Sequence, residues 1–152
     1  PGSGKHTQIS AIEAMNTVIK LTNNLHRYRN NVVFEVPKED VFFNGNSGQI
    51  QQVLMNFLTN AIYATPQGKG ITLKVERDEQ NVILVIDDEG EGMSKETLSK
   101  IFTPFFTTKP PGEGTGLGMS ISMTIVEQHN GKIIIASEEG KGTKVSVILP
   151  IA

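Results

Sequence analysis

Between Ser47 and Ala64 the apolar residues fall at helical spacing, and directly afterwards they switch to period two. Ile50, Val53, Leu54, Phe57, Leu58 and Ala61 make one stripe of a helix, because residues three and four apart share a face. Thr65-Pro66-Gln67-Gly68 ends it. Ile71, Leu73 and Val75 alternate as a strand, and Asp78-Glu79-Gln80-Asn81 makes a turn. Val82 to Ile86 is a continuous apolar run, which predicts a strand buried on both faces. The two strands should pair as an antiparallel hairpin.

The remaining periods complete the outline. Residues 8 to 29 read as one helix with Ile12, Met15, Ile19 and Leu25 on its apolar side, ended by Asn30-Asn31. Val32, Phe34 and Val36 alternate as a strand stopped by Pro37, and Val41-Phe42-Phe43 is a short apolar run before the turn-rich stretch 44–48. Ser94 caps a short helix to about Lys100. Residues 101 to 116 are irregular, with Pro104, Pro110, Pro111 and repeated glycines; loops this long in a domain are usually functional or disordered. Residues 117 to 128 read as a helix with Leu117, Ile121 and Ile125 on one face. Two strands, 132–136 and 143–149, flank Glu139-Gly140-Lys141-Gly142 as a hairpin. Hairpins mixed with helices predict an α+β, two-layer sandwich, with helices on one face of a mixed, mostly antiparallel sheet.

A chain of 152 residues suits one domain. Residues 1–7, opening Pro1-Gly2-Ser3-Gly4, read as a cloning scar or flexible end, and 8–152 as the domain. The formal net charge of −2 gives no field that favours nucleic acid or an anionic membrane, so any bound anion must be held locally. Cysteine is absent, which excludes disulfides and thiolate metal sites and suits a reducing cytosol. No apolar run approaches the roughly 20 residues of a membrane span, and no secretory leader is visible. The expected location is cytoplasmic, without contact to membrane or nucleic acid.

Four groups of residues can carry chemistry. Asn56 and Asn60 lie one turn apart on one helix face and interrupt its apolar stripe. They are either satisfied helix amides or a magnesium site, since a magnesium ion carrying phosphates needs only one or two protein oxygens. Asp88-Glu89-Gly90-Glu91-Gly92-Met93 follows a buried strand. It is an acidic turn, a weak calcium site built on Asp87, Asp88, Glu89 and Glu91, or a place where a rigid carboxylate reads the amino group of adenine. Gly112-Glu113-Gly114-Thr115-Gly116-Leu117-Gly118 opens a helix. Amides at a helix start attract phosphate, yet no Gly-Lys-Ser/Thr follows, so this is not a P-loop. Phe105-Phe106-Thr107-Thr108-Lys109 can anchor a loop by its rings and offer hydroxyls and an ammonium to phosphate.

Taken in order, these groups resemble the catalytic domain of bacterial sensor histidine kinases, within the superfamily that includes type II topoisomerases, heat-shock chaperone ATPases and mismatch-repair ATPases. The resemblance runs from about residue 8 to residue 150. The asparagine box reads Gln52-Val53-Leu54-Met55-Asn56-Phe57-Leu58-Thr59-Asn60-Ala61, and the first glycine box Asp88 to Met93. The phenylalanine box reads Ile101-Phe102-Thr103-Pro104-Phe105-Phe106-Thr107-Thr108-Lys109, the second glycine box Gly114-Thr115-Gly116-Leu117-Gly118, and Gly140-Lys141-Gly142-Thr143 closes the set. The Phe-Phe-Thr-Thr-Lys-Pro run is similar to the nitrogen-regulator and dicarboxylate-sensor subgroup. Tyr63 and Ala64 depart from the lysine and aromatic residue that many of these kinases carry shortly after the second asparagine.

The resemblance implies the Bergerat ATP-binding fold, ATP and magnesium as cofactors, and transfer of the γ-phosphate to a histidine. Asn60 would bind the metal, with Asn56 helping to hold phosphate or metal-bound water; Asn56, Asn60 and Lys109 would be the catalytic set. Asp88 would bond the adenine amino group, with Gly90, Gly92 and Met93 beside the base and Thr143 supporting it. Thr107, Thr108, Lys109, Gly114, Thr115, Gly116, Leu117, Gly118 and Met119 would form a lid over the phosphates. The superfamily's hydrolytic members place a water-activating glutamate where Asn56 stands, and an amide cannot act as that base. None of His6, His26 and His129 is followed by an acidic residue, as a phosphoacceptor would be. The acceptor is therefore expected on a dimerisation segment before residue 1, with a response regulator downstream. Alternatives are an anti-sigma-factor type of serine kinase, a nucleotide-binding docking module without catalysis, and a hydrolytic ATPase.

Overall fold

Two polar side chains set where the long helices start. Ser10 Oγ accepts from the Glu13 amide at 3.0 Å, and Asn46 Oδ1 accepts from the Gln49 amide at 2.9 Å. Each satisfies a backbone donor that has no partner inside its helix. The computed structural model describes residues 6–104, 106 and 118–152. In chain order its elements are β1 (Thr7–Ser10), α1 (Ala11–Leu21), α2 (Asn23–His26), β2 (Asn31–Glu35), β3 (Phe42–Gly45), α3 (Ser47–Ala64), β4 (Gly70–Arg77), β5 (Asn81–Asp88), α4 (Lys95–Lys100), α5 (Gly118–Gln128), β6 (Lys132–Glu138) and β7 (Gly142–Pro150).

The main sheet has the order β2-β4-β5-β7-β6. Only β2 and β4 run parallel; β4–β5, β5–β7 and β6–β7 are antiparallel. Alternate residues of a strand share a face, so Ile71, Leu73 and Val75, Val82, Leu84 and Ile86, and Val145, Val147 and Leu149 form one apolar surface. The α3 stripe, Met15 and Val18 of α1, and Ile125 and Val126 of α5 pack on it as one core. This is the α+β arrangement of helices on one face of a mixed sheet. Leu54 is fully buried at its centre. Leu54→Ala should therefore cost about 2–5 kcal/mol, read as a lower denaturant midpoint at unchanged slope.

The expected helix over 8–29 is three elements. Thr7–Ser10 is a strand paired antiparallel with Phe42–Gly45, so Asn44 and Gly45 belong to a strand rather than a turn. Thr22 then breaks the helix: its hydroxyl donates to the Val18 carbonyl at 2.8 Å, competing for helical acceptors. Leu25, expected on the core side, is exposed after the break. In β5, Val85 is buried on the outer face but Ile83 is only half-buried, so burial on both faces is incomplete. On α5 the inward residues are Ser122, Ile125 and Val126, while Ile121 is exposed. Ile121 lies one residue before Ser122, about 100° round the helix.

Candidate functional site

At one end of the sheet the apolar surface gives way to polar side chains. The register places Ile71, Asp88, Thr143 and Ser137 in one row across β4, β5, β7 and β6. Asp88 is buried. Its Oδ1 accepts from the amides of Gly90 at 2.8 Å and Thr143 at 3.2 Å. Both backbone donors land on the same oxygen, which leaves Oδ2 as the acceptor for a ligand. Burial pushes this carboxyl above the ordinary aspartate value, with Asp87 adding to the effect and the two amides opposing it.

The loop after Asp88 is held on every side. The Glu91 amide donates to Ala64 O at the end of α3, and Glu91 O accepts from the Gly140 amide at 2.7 Å. The Met93 amide donates to Ser137 Oγ at 2.8 Å, and Glu89 Oε1 accepts from the Gly70 amide at 2.7 Å. Gly92 has φ +70° and Gly142 φ +126°. A Cβ at Gly92 would overlap the Glu138 carbonyl, and one at Gly142 the Asp88 carbonyl. Two backbone segments thus pass closer than any side chain allows, and the acidic loop is locked onto the β6–β7 hairpin.

The asparagines stand on the neighbouring wall. Asn56 Nδ2 donates to Gly118 O at 3.3 Å and Ser122 Oγ at 3.1 Å. Asn60 Nδ2 approaches the Met119 sulfur at 3.5 Å. Both amides are half-buried, so the first turn of α5, with Gly118 and Met119, is tied to the asparagine helix. Asn56, Asn60, Asp88, Gly90, Gly92, Met93, Gly118, Met119 and Thr143 therefore sit on elements that bond to one another. Phe105, Thr107, Thr108, Lys109, Gly114, Thr115, Gly116 and Leu117 lie outside the described residues. Among the described residues no cluster of three acidic, histidine or cysteine side chains could hold a metal, which leaves no support for calcium on the acidic loop. No described helix is long and apolar enough to cross a membrane.

Residues 45–152 match the family described as histidine kinase-, DNA gyrase B- and HSP90-like ATPases. The chain belongs to this ATPase family. Among curated relatives it is 41% identical over 113 residues to sensor protein DegM of Bacillus sp. (strain B21-2), spanning 74% of this chain and 30% of DegM. It is 43% identical over 103 residues to sensor histidine kinase ZraS of Escherichia coli K12, spanning 68% of this chain and 22% of ZraS. The chain thus covers less than a third of either relative's length. The catalytic domain of histidine kinase ThkA superposes with a TM-score of 0.85 at 31% identity, over 96% of this chain and 97% of that domain. ThkA has also been solved in complex with the response regulator protein TrrA, and that structure matches with a TM-score of 0.81 at 29% identity, over 97% of this chain and 42% of the ThkA chain. Within the family the chain is a histidine kinase catalytic domain.

Two histidines of this domain are structural. His129 is buried; Nδ1 donates to Ile125 O at 2.8 Å and Nε2 accepts from the Asn46 amide at 3.0 Å. One nitrogen is thereby fixed as donor and the other as acceptor, at the N-cap of α3. His26 is buried with Nε2 3.2 Å from Ile19 O. Both ring nitrogens of His129 are thus engaged in holding α3 to α5. Ser122 and Ser137 escaped the sequence motifs. Ser122 sits one turn beyond Gly118, and Ser137 faces Thr143 across the hairpin; element pairing, rather than a motif, singles them out.

Proposed function

We propose that this domain binds Mg-ATP against the polar end of the sheet and presents the γ-phosphate to a histidine on a dimerisation segment of the same protein. The observation that carries this is Asp88: a buried carboxylate with one oxygen saturated by two backbone amides and the other available. The exocyclic amine of adenine brings the donor that Oδ2 lacks. Gly90, Gly92 and Met93 form the turn beside the base, and Thr143 supports it next to Asp88.

Asn56 and Asn60 flank the phosphate end. Two amide oxygens one turn apart, with no metal-holding carboxylate cluster among the described residues, fit a magnesium ion that arrives already carrying phosphate oxygens and water. Asn60 would hold it, and the ion would neutralise charge developing on the phosphates. Asn56 commits its amide protons to Gly118 O and Ser122 Oγ. It has no group that could take a proton from water, which supports transfer to another side chain over hydrolysis. Thr107, Thr108, Lys109 and Gly114 to Met119 are assigned to the phosphate lid, with Lys109 as its cation. The ThkA–TrrA complex supports a response regulator as the downstream partner, and a cytoplasmic location fits that role. Titration with ADP tests the binding half: one site with magnesium-dependent affinity is expected, and absence of binding would contradict it.

The raised Asp88 carboxyl gives the site a pH signature. The folded state holds this proton more tightly than the unfolded chain. The contribution of Asp88 to stability is therefore greatest at low pH and falls as pH rises from the ordinary aspartate value through the raised one. Binding runs the other way, because only the ionised form accepts from adenine on Oδ2. ADP affinity should fall on acidification with a midpoint above the usual aspartate range. Asp88→Asn should lack that midpoint, which separates it from titration of the nucleotide's own phosphate.

A further inference from the structure

We propose that Ser137 is a positioning residue that sharpens the site's preference for a 6-amino over a 6-oxo purine, by turning the Thr143 hydroxyl into a pure acceptor. This rests on the nucleotide-binding function above and extends it to a residue outside the motifs.

Ser137 Oγ lies 2.8 Å from the Met93 amide, 3.2 Å from Gly142 O and 2.8 Å from Thr143 Oγ1. A hydroxyl has one proton and two lone pairs. The Met93 amide can only donate, and Gly142 O can only accept. All three contacts are satisfied together in one way: Ser137 gives its proton to Gly142 O, and Thr143 gives its proton to Ser137. Only lone pairs then remain on Thr143 Oγ1. Next to it, the ionised Asp88 carboxylate is also acceptor-only, and the Gly90 and Thr143 amides are already spent on its Oδ1.

On the face of the sheet that carries Asp88 and Thr143, these two side chains therefore offer acceptors and no free donor. A 6-amino group brings two protons to that surface. A 6-oxo group brings lone pairs to lone pairs, and a polar group left unpaired in a site is penalised more heavily than a missing contact. Without Ser137 the Thr143 hydroxyl can rotate and donate to a 6-oxo group, directly or through a water, so the discrimination relaxes.

The test is to titrate ADP and IDP, whose bases differ at the purine 6-position and by the proton that the 6-oxo form carries on N1, into wild type, Ser137→Ala, Ser137→Thr, Thr143→Val and Ser137→Ala/Thr143→Val, with thermal melting as a check of folding. The N1 difference is common to every variant, so the change in ratio between variants is what reports on Thr143. The IDP-to-ADP ratio of Kd should drop at least about threefold in Ser137→Ala, the size of one ordinary hydrogen bond. Ser137→Thr, which keeps the hydroxyl, should restore it. In the Thr143→Val background Ser137→Ala should leave the ratio unchanged, because the relaxing donor is gone. An unaltered ratio in folded Ser137→Ala, or equal weakening of both nucleotides, overturns the inference while leaving ADP binding by wild type intact. A wild-type chain that binds neither nucleotide overturns the function itself, and this inference with it.

Discussion

Asp88→Asn should weaken ADP binding by about 10- to 100-fold, the equivalent of a hydrogen bond to a charged group. The geometry makes this substitution worse than a simple loss of charge. Both backbone donors, Gly90 and Thr143, point at Oδ1. The single oxygen of asparagine is drawn to them, which places its NH2 where Oδ2 stood. A donor then faces the adenine amino group. The fold should survive, since the two backbone bonds persist and a desolvated charge disappears; thermal melting checks that. ADP affinity within about threefold of wild type, less than one ordinary hydrogen bond, would sink the adenine assignment.

The second large effect is expected at Asn60. Asn60→Ala removes the amide oxygen assigned to magnesium and opens a small gap beside Met119. Phosphotransfer should fall by about 100-fold or more, the scale of losing one electrostatic stabiliser of the transition state. The separating measurement is nucleotide affinity with and without magnesium. Wild type should show a clear difference, and Asn60→Ala little or none, while binding in chelator stays near wild type. Normal transfer, or an intact magnesium dependence, contradicts the metal role.

What the sequence discloses about this fold depends on whether a residue's role is decided by its neighbours in the chain or by distant ones. Helix α3 is legible because its apolar residues recur at helical spacing over 18 residues and Thr65-Pro66 stops it, and in the structure Asn46 caps its start. The β4–β5 and β6–β7 hairpins are local for the same reason. The segment before α1 is not. Thr7 to Ser10 extend only because β3, more than thirty residues later, supplies a partner, and their apolar content is too low to give a period. Thr22 likewise breaks a pattern that hydrophobic spacing alone would carry through to Leu25. The four-residue spacing of Leu117, Ile121 and Ile125 predicts one apolar face, whereas the buried face of α5 is made by Ser122, Ile125 and Val126, and Ile121 is exposed.

The site shows the same division. Asn56, Asn60, Asp88 and the glycines are legible as an ordered set of motifs, and the comparisons agree on the family. How they act together is not visible there. That both amides choose one oxygen of Asp88, that Gly92 and Gly142 exist to let two backbones meet, and that Ser137 reaches both Met93 and Thr143 all follow from strand register.

The central claim is that this domain delivers phosphate from ATP to a histidine. The most direct measurement supplies Mg-ATP labelled at the γ-position, together with a dimerisation segment that carries the acceptor histidine, and asks where the label goes. Label on that segment that survives base, is lost in acid, and disappears when the acceptor histidine is replaced is the predicted result. Acid-stable label on serine, or release of free phosphate with none on the segment, would contradict it.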